Sequence, residues 1–487
     1  MSVVSANPDK SGTPTRAQRR AVAELLRVAP VADEVSRLFQ GAGHDLALVG
    51  GSVRDAMLGT LGEDLDFTTD ARPEDVLAIT RSWADRVWEV GIAYGTIGLR
   101  KGAFKLEITT YRSEKYHRES RNPDVAYGES LVDDLARRDF TVNAMAVPLP
   151  LHGGESLVDP YGGLRDLAEG VLRTPGPAER SFDDDPLRML RAARFAAQLG
   201  FDVAPDVVAA MTEMRDRLAI MSVERVRDEL AKLLCARHPR RGLVLLVDTG
   251  LADVVLPELP GIRLEIDEHH RHKDVYEHTL TVLDQAIALE GDTGPDLVLR
   301  LAAVLHDIGK PKTRRMEPDG RVSFHHHEVV GARMAHQRLT ALRFPKDVIA
   351  DVAKLVELHL RFHGYAEGEW TDSAVRRYVR DAGPLLDRLH KLTRADCTTR
   401  NRRKAKWLAD AYDDLEARIA RLEEEEELAK IRPDLDGNEV MTELGVAPGP
   451  VVGRALQYLL ELRMERGPLG RDKAVEELHR WAARQDL

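Results

Sequence analysis

Asp64 and Asp66, in the run Asp64-Leu65-Asp66, occupy alternate positions that a β-strand would point to one face. Like charges so close need a compensating cation, and Glu107, in the run KLEITTY, offers a third oxygen from a second strand. Such a hard carboxylate set suits Mg²⁺, with water and phosphate completing the octahedron. In a two-metal site of this kind, one ion activates a hydroxyl for in-line attack on an α-phosphate and the other stabilises departing pyrophosphate. Just upstream, Gly50-Gly51-Ser52-Val53-Arg54-Asp55 reads as a strand-to-helix junction, where glycines let backbone N–H groups approach phosphate and Arg54 adds a cation. A Gly-Gly pair alone is a turn, and strand-end acids alone are solvated. Their succession favours a nucleotide site.

Two further clusters follow. Arg137-Arg138-Asp139-Phe140-Thr141-Val142-Asn143-Ala144 joins guanidinium groups to short polar side chains able to hold triphosphate oxygens and a ribose hydroxyl, so Arg138, Asp139 and Asn143 are expected to bind nucleotide; a structural cap is the rival. Asp184-Asp185-Pro186-Leu187-Arg188 opens a helix, with Pro near the first turn and acids favoured by the dipole. A helix start does not explain the arginine-rich face that follows, Arg188, Arg191 and Arg194. Far downstream, His278, His306-Asp307, His325-His326-His327-Glu328, His359 and Asp396 fall in helical or helix-end contexts. One helical histidine is ordinarily structural, but a doublet with flanking histidines and a late aspartate favours a metal site.

These residues need a scaffold of two kinds. Between 46 and 150 the β-rich runs LALVGG, DLDFTT, TIGLR, FKLEITTY and AMAVPLP alternate with the helical segments SVRDAML and PEDVLAITRSWA, which predicts a mixed α/β domain with one small sheet. Tyr111 to Leu131 reads as a mobile loop. After Asp159-Pro-Tyr-Gly-Gly163 the periodicity becomes 3.6 residues, predicting an all-helical remainder. The fold class is therefore α+β. At 487 residues the chain exceeds one core, and its 43% hydrophobic and 31% charged residues suit a soluble globular protein without a membrane partner. Only Cys235 and Cys397 are present, which with the apolar-poor N-terminus favours the cytoplasm. The net charge of −11 hides a local basic stretch: Arg376 to Lys406 holds eleven Lys/Arg against three Asp, whereas Glu423 to Glu427 is wholly acidic. Nothing here fixes an oligomeric state.

The ordered set GGSVRD, DLD, LEITTYR, LARRDFTVNAMA, DPYGG, DDDPLRMLRAARFAAQLGF and SVERVRDEL resembles the class II tRNA nucleotidyltransferases, the CCA-adding enzymes, with their relatives the bacterial poly(A) polymerases. The resemblance covers about 46 to 235. It implies a polymerase-beta-like head, tRNA, CTP and ATP as partners, and Mg²⁺-dependent addition of the 3′ CCA. It also implies that Asp64, Asp66 and Glu107 are catalytic, and that Gly50, Gly51, Ser52, Arg54, Arg138, Asp139, Asn143, Asp185, Arg188, Arg191 and Arg194 hold the nucleotide. The family's Glu-Asp-x-x-Arg is here Asp184-Asp185-Pro186-Leu187-Arg188, with the base-touching pair matched by Asp185 and Arg188. As i, i+3 neighbours they present an acceptor beside a donor fork, which complements the amine and ring acceptor shared by cytosine and adenine; uracil and guanine would leave groups unpaired at ~1 to 3 kcal/mol each. A loop at 111 to 131 accompanies, in the family, enzymes that add A as well as both Cs.

The segments LAAVLHDIGKPKTR, FHHHEVVGARMA, LVELHLRF and LTRADCTTR resemble an HD metal-dependent phosphohydrolase domain. The resemblance implies His278, His306, Asp307 and Asp396 as first ligands, extended by His327 and His359, with Mn²⁺, Co²⁺ or Ni²⁺ and a phosphoester substrate. The layout expected is a disordered 1–15, a catalytic head over 16–172, a helical neck over 173–262, an HD body over 263–405 and a helical tail over 406–487 that contacts tRNA. A poly(A) polymerase, or an RNA-binding HD phosphohydrolase with an inactive head, are the alternatives.

Overall fold

Asp64–Thr69 (β2) lies inside a six-stranded sheet whose other members are Leu46–Val49 (β1), Arg86–Trp88 (β3), Thr96–Lys101 (β4), Phe104–Thr110 (β5) and Ala146–Pro148 (β8), in the order β3-β4-β5-β2-β1-β8. The computed structural model describes residues 16–485 except 90, 93–94, 116–123, 128–129, 151–156, 264–273, 292–293, 319–321, 363–364, 366–369, 400, 431 and 467–468. The expected disorder of 1–15 lies outside these residues. β2 and β5 run parallel, and the other pairs in the sheet are antiparallel. Leu65, Phe67, Leu106 and Ile108 are buried while Asp64 is exposed, so alternation along β2 and β5 separates core from site. Phe39, from the helix Arg16–Gly41, and Val53, from the helix Gly51–Leu58, are also fully buried, so both helices contribute to the core.

The segment read as a mobile loop is a ribbon at both ends. Arg112–Lys115 (β6) pairs antiparallel with Asp124–Tyr127 (β7), Arg112 opposite Tyr127. Its many charged residues offer no apolar alternation in the sequence, and the strands are defined by their pairing with each other. β3 was unmarked for a similar reason: it is three residues long and has no fully buried side chain.

Beyond residue 163 the chain is helical, as its periodicity predicts, apart from two-residue pairings of Val171–Leu172 with Asp202–Val203 and Arg315–Met316 with Val322–Ser323. The described chain packs as two units: Met1–His359 with Lys391–Thr398, and Leu360–His390 with Thr399–Leu487. The second unit has a core of its own in which Val440, Leu459, Leu478 and Trp481 meet. Its helix Gly437–Leu444 begins in a capping box of Asp436 and Glu439 and ends at Gly445, whose φ of 64° suits the left-handed cap.

In the first unit, the turn after His306-Asp307 passes directly over the start of the helix His327–Ala341. A Cβ on Gly309 would lie 2.1 Å from the His327 carbonyl oxygen and 2.7 Å from the Gly331 nitrogen, both backbone atoms that cannot swing aside. Gly309→Ala is therefore expected to destabilise this unit by about 1–3 kcal/mol, the usual cost of overpacking. A denaturant titration of the variant with an unchanged midpoint would contradict the close approach.

Candidate functional site

The parallel register of β2 and β5 sets Asp66 beside Glu107 and Asp64 beside Lys105. Lys105 Nζ donates to Glu107 Oε1 at 2.7 Å, so the third carboxylate already has a cation. Asp64 and Asp66 share the face expected of them. At the neighbouring turn, Ser52 Oγ accepts from the Asp66 amide at 2.8 Å, tying the helix Gly51–Leu58 to the carboxylate strand. Gly50 has φ 66°, and a Cβ there would fall 2.6 Å from Arg138 Nη1, so the Arg138 guanidinium lies across the turn. Gly51 lies close to the Asp66 carboxylate, with 3.6 Å between its Cβ position and Asp66 Oδ2. Burial pushes the Asp66 carboxyl up to about 6; Arg138 and Arg54 oppose the rise and Glu107 and Asp64 add to it. A partly dehydrated carboxylate between two others is a place where a divalent cation lowers the energy.

Arg54 and Arg194, expected to hold the nucleotide, are engaged by partners within the protein. Arg54 is buried, donating to Asp55 and, through Nη1, to Asn143 Oδ1 at 2.7 Å. Asn143 Nδ2 donates to Asp139 Oδ1 at 2.9 Å, and Arg191 donates from Nε at 2.8 Å to the other Asp139 oxygen. Although burial disfavours its charge, Asp139 is held well below the usual carboxylate range by Arg191 and Asn143. Arg194 Nε donates to buried Glu229 at 2.6 Å. These residues form a support behind the turn.

Asp185 and Arg188 both lie at the start of the helix Leu187–Leu199, where Asp185 Oδ1 accepts from the Leu187 amide at 3.0 Å. Asp185 Oδ2 pairs with Arg225 at 3.1 Å, while Arg188 donates to Ser181 Oγ at 2.8 Å and to the Arg137 carbonyl. Sequence reasoning passed over Arg225, Glu229, Ser181 and Lys105. Arg225 and Glu229 sit one turn apart within SVERVRDEL, a spacing that puts them on one face.

The histidines converge as expected. His278 lies in the helix Val275–Ala288, His306 follows Leu297–Leu305, His327 opens His327–Ala341, His359 follows Lys346–Leu358 and Asp396 ends Leu386–Asp396. Ligand atoms of His278, His306 and Asp396 lie within 4.8 Å of one another, and so do those of Asp307, His327 and His359. The three head carboxylates are not gathered in this way. His306, His327 and His359 direct Nδ1 at the carbonyls of Ala303, Phe324 and Val356 at 2.7–2.8 Å, and His278 directs Nδ1 at Thr398 Oγ1 at 3.0 Å. A carbonyl can only accept, so in His306, His327 and His359 the proton sits on Nδ1 and Nε2 is the nitrogen turned to the cluster. The Nε2 atoms of His327 and His359 are buried without a hydrogen-bond partner, which fits metal ligation. Asp307 is central: Oδ2 is 3.2 Å from His306 and 2.9 Å from Lys310, and Oδ1 is 3.3 Å from His327. Burial draws the His306 imidazole down, but Asp307 and Asp396 outweigh it and carry it up to about 9; burial, then His306, pushes His359 down to about 3. Lys310, three residues past Asp307, is a further group that the sequence reading did not single out.

A carboxylate strand beside a Gly-Gly turn, joined through buried arginines to a helical neck, defines a nucleotidyltransferase head, here followed by an HD-type centre. Residues 46–173 match the Poly A polymerase head domain, 200–262 the probable RNA and SrmB-binding site of polymerase A, and 275–401 the HD domain. The A-adding tRNA nucleotidyltransferase of Deinococcus radiodurans is 38% identical over 90% of this chain and 95% of its own. The CCA-adding enzyme of Leuconostoc mesenteroides is 42% identical, but over 47% of this chain and 54% of its own. The Bacillus stearothermophilus CCA-adding enzyme solved with CTP covers 95% of this chain and 98% of its own at 25% identity and a TM-score of 0.57. The chain belongs to the tRNA nucleotidyltransferase family. No helix among the described residues is long and apolar enough to cross a membrane.

The raised Asp66 carboxyl has a measurable sign. Between its ordinary value of 3.8 and about 6 the folded protein holds a proton that the unfolded chain releases, so wild-type stability falls as pH rises through that window. Asp66→Asn, which never ionises, should melt at a higher temperature than wild type at pH 8 in EDTA and approach it at pH 5. Equal melting temperatures at pH 8 would remove the burial argument.

Proposed function

We propose that the protein builds or repairs the 3′ CCA end of tRNA from CTP and ATP without a nucleic-acid template, releasing pyrophosphate. The observation that carries this reading is the register that sets Asp66 beside Glu107 and next to the Gly50-Gly51 turn, with Arg138 across it. Asp64 and Asp66 would hold Mg²⁺, which supplies the Lewis acidity for attack of the tRNA 3′-hydroxyl on the α-phosphate. Glu107 acts with them, either as a further oxygen ligand or by keeping Lys105 at the edge of the site. Gly50, Gly51, Ser52 and Arg138 receive triphosphate. Arg54, Asp139, Asn143, Arg191 and Arg194 act on the nucleotide by holding that turn rigid. Asp185 and Arg188 read the base edge once they exchange their contacts with Arg225, Ser181 and the Arg137 carbonyl for the incoming amine and ring acceptor. The layout of head to residue 172, neck to 262, HD body to 405 and tail to 487 is part of this proposal, as are tRNA contact by the tail and a cytoplasmic setting.

A second reading, addition of the terminal A alone, is favoured by the likeness over nearly the whole chain to an A-adding enzyme. Purified protein given tRNA lacking CCA, and separately tRNA ending in CC, with each nucleotide alone and then CTP plus ATP, separates the two. Complete CCA addition is expected. Extension confined to the CC-ended substrate would establish A addition, and long adenylate tails would establish a poly(A) polymerase. Asp64→Ala and Asp66→Ala should both reduce incorporation to background at saturating Mg²⁺ with tRNA binding retained. Loss of C and A selection in Arg188→Ala, seen as gained UTP or GTP incorporation in single turnovers, checks the base-reading role.

At the second centre, His278, His306 and Asp396 on one side and His327 and His359 on the other would hold Mn²⁺, Co²⁺ or Ni²⁺ about a shared Asp307. The bound metal supplies an activated water for hydrolysis of 2′,3′-cyclic nucleotides or phosphomonoesters. Asp307→Ala should abolish that hydrolysis and metal uptake while nucleotide addition survives. Normal metal content in the variant would sink the assignment.

A further inference from the structure

The long helix Arg402–Lys430 begins with ten residues, 402–411, none of which is buried; core packing starts at Tyr412. At ~1.5 Å per residue that is about 15 Å of helix, half-buried along Ala405, Leu408 and Ala411 and exposed on its other faces. Its cations are not spent internally. Arg402, Arg403, Lys404 and Lys406 are all exposed and make no ion pair among the described residues, whereas further along Arg418 is bound to Asp372 at 2.5 Å. The first turn is held firm by Asn401, whose Oδ1 accepts from the amides of Arg403 at 3.0 Å and Lys404 at 3.2 Å. Trp407 stands on the same stretch at 47% exposure, an aromatic among otherwise aliphatic exposed large side chains of the described chain. Arg403 and Lys404 precede it by four and three residues and so share its face; Asp410, one turn later, closes the basic surface.

We propose that this exposed face is a tRNA contact, with Trp407 stacked on an unpaired base and Arg403 and Lys404 on the phosphates beside it. The inference rests on the reading that tRNA is the substrate. An indole face flanked by unpaired cations matches the two features every loop nucleotide offers, a π-surface and a phosphate.

The test is equilibrium binding of full-length protein to labelled tRNA lacking CCA, without nucleotides, across a salt series. Trp407→Ala should weaken binding about tenfold and Trp407→Phe should restore most of it, as stacking requires. The double variant Arg403→Glu, Lys404→Glu should reduce the slope of log affinity against log salt by about 1 to 2. Melting temperatures should not move, since none of these side chains is buried. Wild-type affinity and slope in all the variants would overturn the proposal. So would a change in sedimentation by Trp407→Ala at unchanged tRNA affinity, which would make the face an interface between copies. The proposed activity is judged separately, by nucleotide addition. A protein that binds tRNA through Trp407 yet extends none keeps this contact and loses the function, and a wild type that binds no tRNA loses both.

Discussion

A line of hydrogen-bonded charged groups, bridged by the Asn143 amide, runs through the first unit, and the nucleotide-side geometry depends on it. From Asp55 at the surface it passes through Arg54, Asn143, Asp139 and Arg191 to Glu229 and Arg194, each link a hydrogen bond or ion pair. Most of these groups are buried, and a buried charge without its partner costs several kcal/mol. The members therefore stand or fall together. Because Arg54 lies on the helix after the Gly-Gly turn and Arg191 and Glu229 lie on the helices Leu187–Leu199 and Val223–Leu234, the turn is positioned by residues more than a hundred positions away.

The same electrostatic rule shapes the HD centre in another way. There the carboxylate of Asp307 is shared among imidazoles and Lys310, and three histidines have their Nδ1 protons committed to backbone carbonyls. In the head, opposite charges neutralise one another and leave a rigid support. In the HD centre, lone pairs face inward and some go unsatisfied, so that centre has capacity for a cation that the support lacks.

Much of this was legible in the sequence wherever a pattern was local. Strict alternation gave β2 and β5, the 3.6-residue period gave the helical body, and the types and order of His278, His306, Asp307, His327, His359 and Asp396 gave their convergence. Pairing across long separations was not legible. Nothing in the string says that Arg54 is consumed by Asn143, 89 residues on, or that Lys105 claims Glu107 before a metal does. The β6–β7 ribbon was hidden for a different reason: two strands paired only with each other need no apolar alternation, so a charged stretch looks like loop.

The chain leaves the first unit at residue 360 and returns to it for 391–398, bringing Asp396 to His278 and His306. During synthesis from the N-terminus, the head and neck have all their partners long before that carboxylate emerges. The last ligand of the HD centre is therefore delivered after the intervening segment 360–390 has been made. A message truncated between these points would release a chain with a formed polymerase-like head and an imidazole cluster deprived of its closing carboxylate.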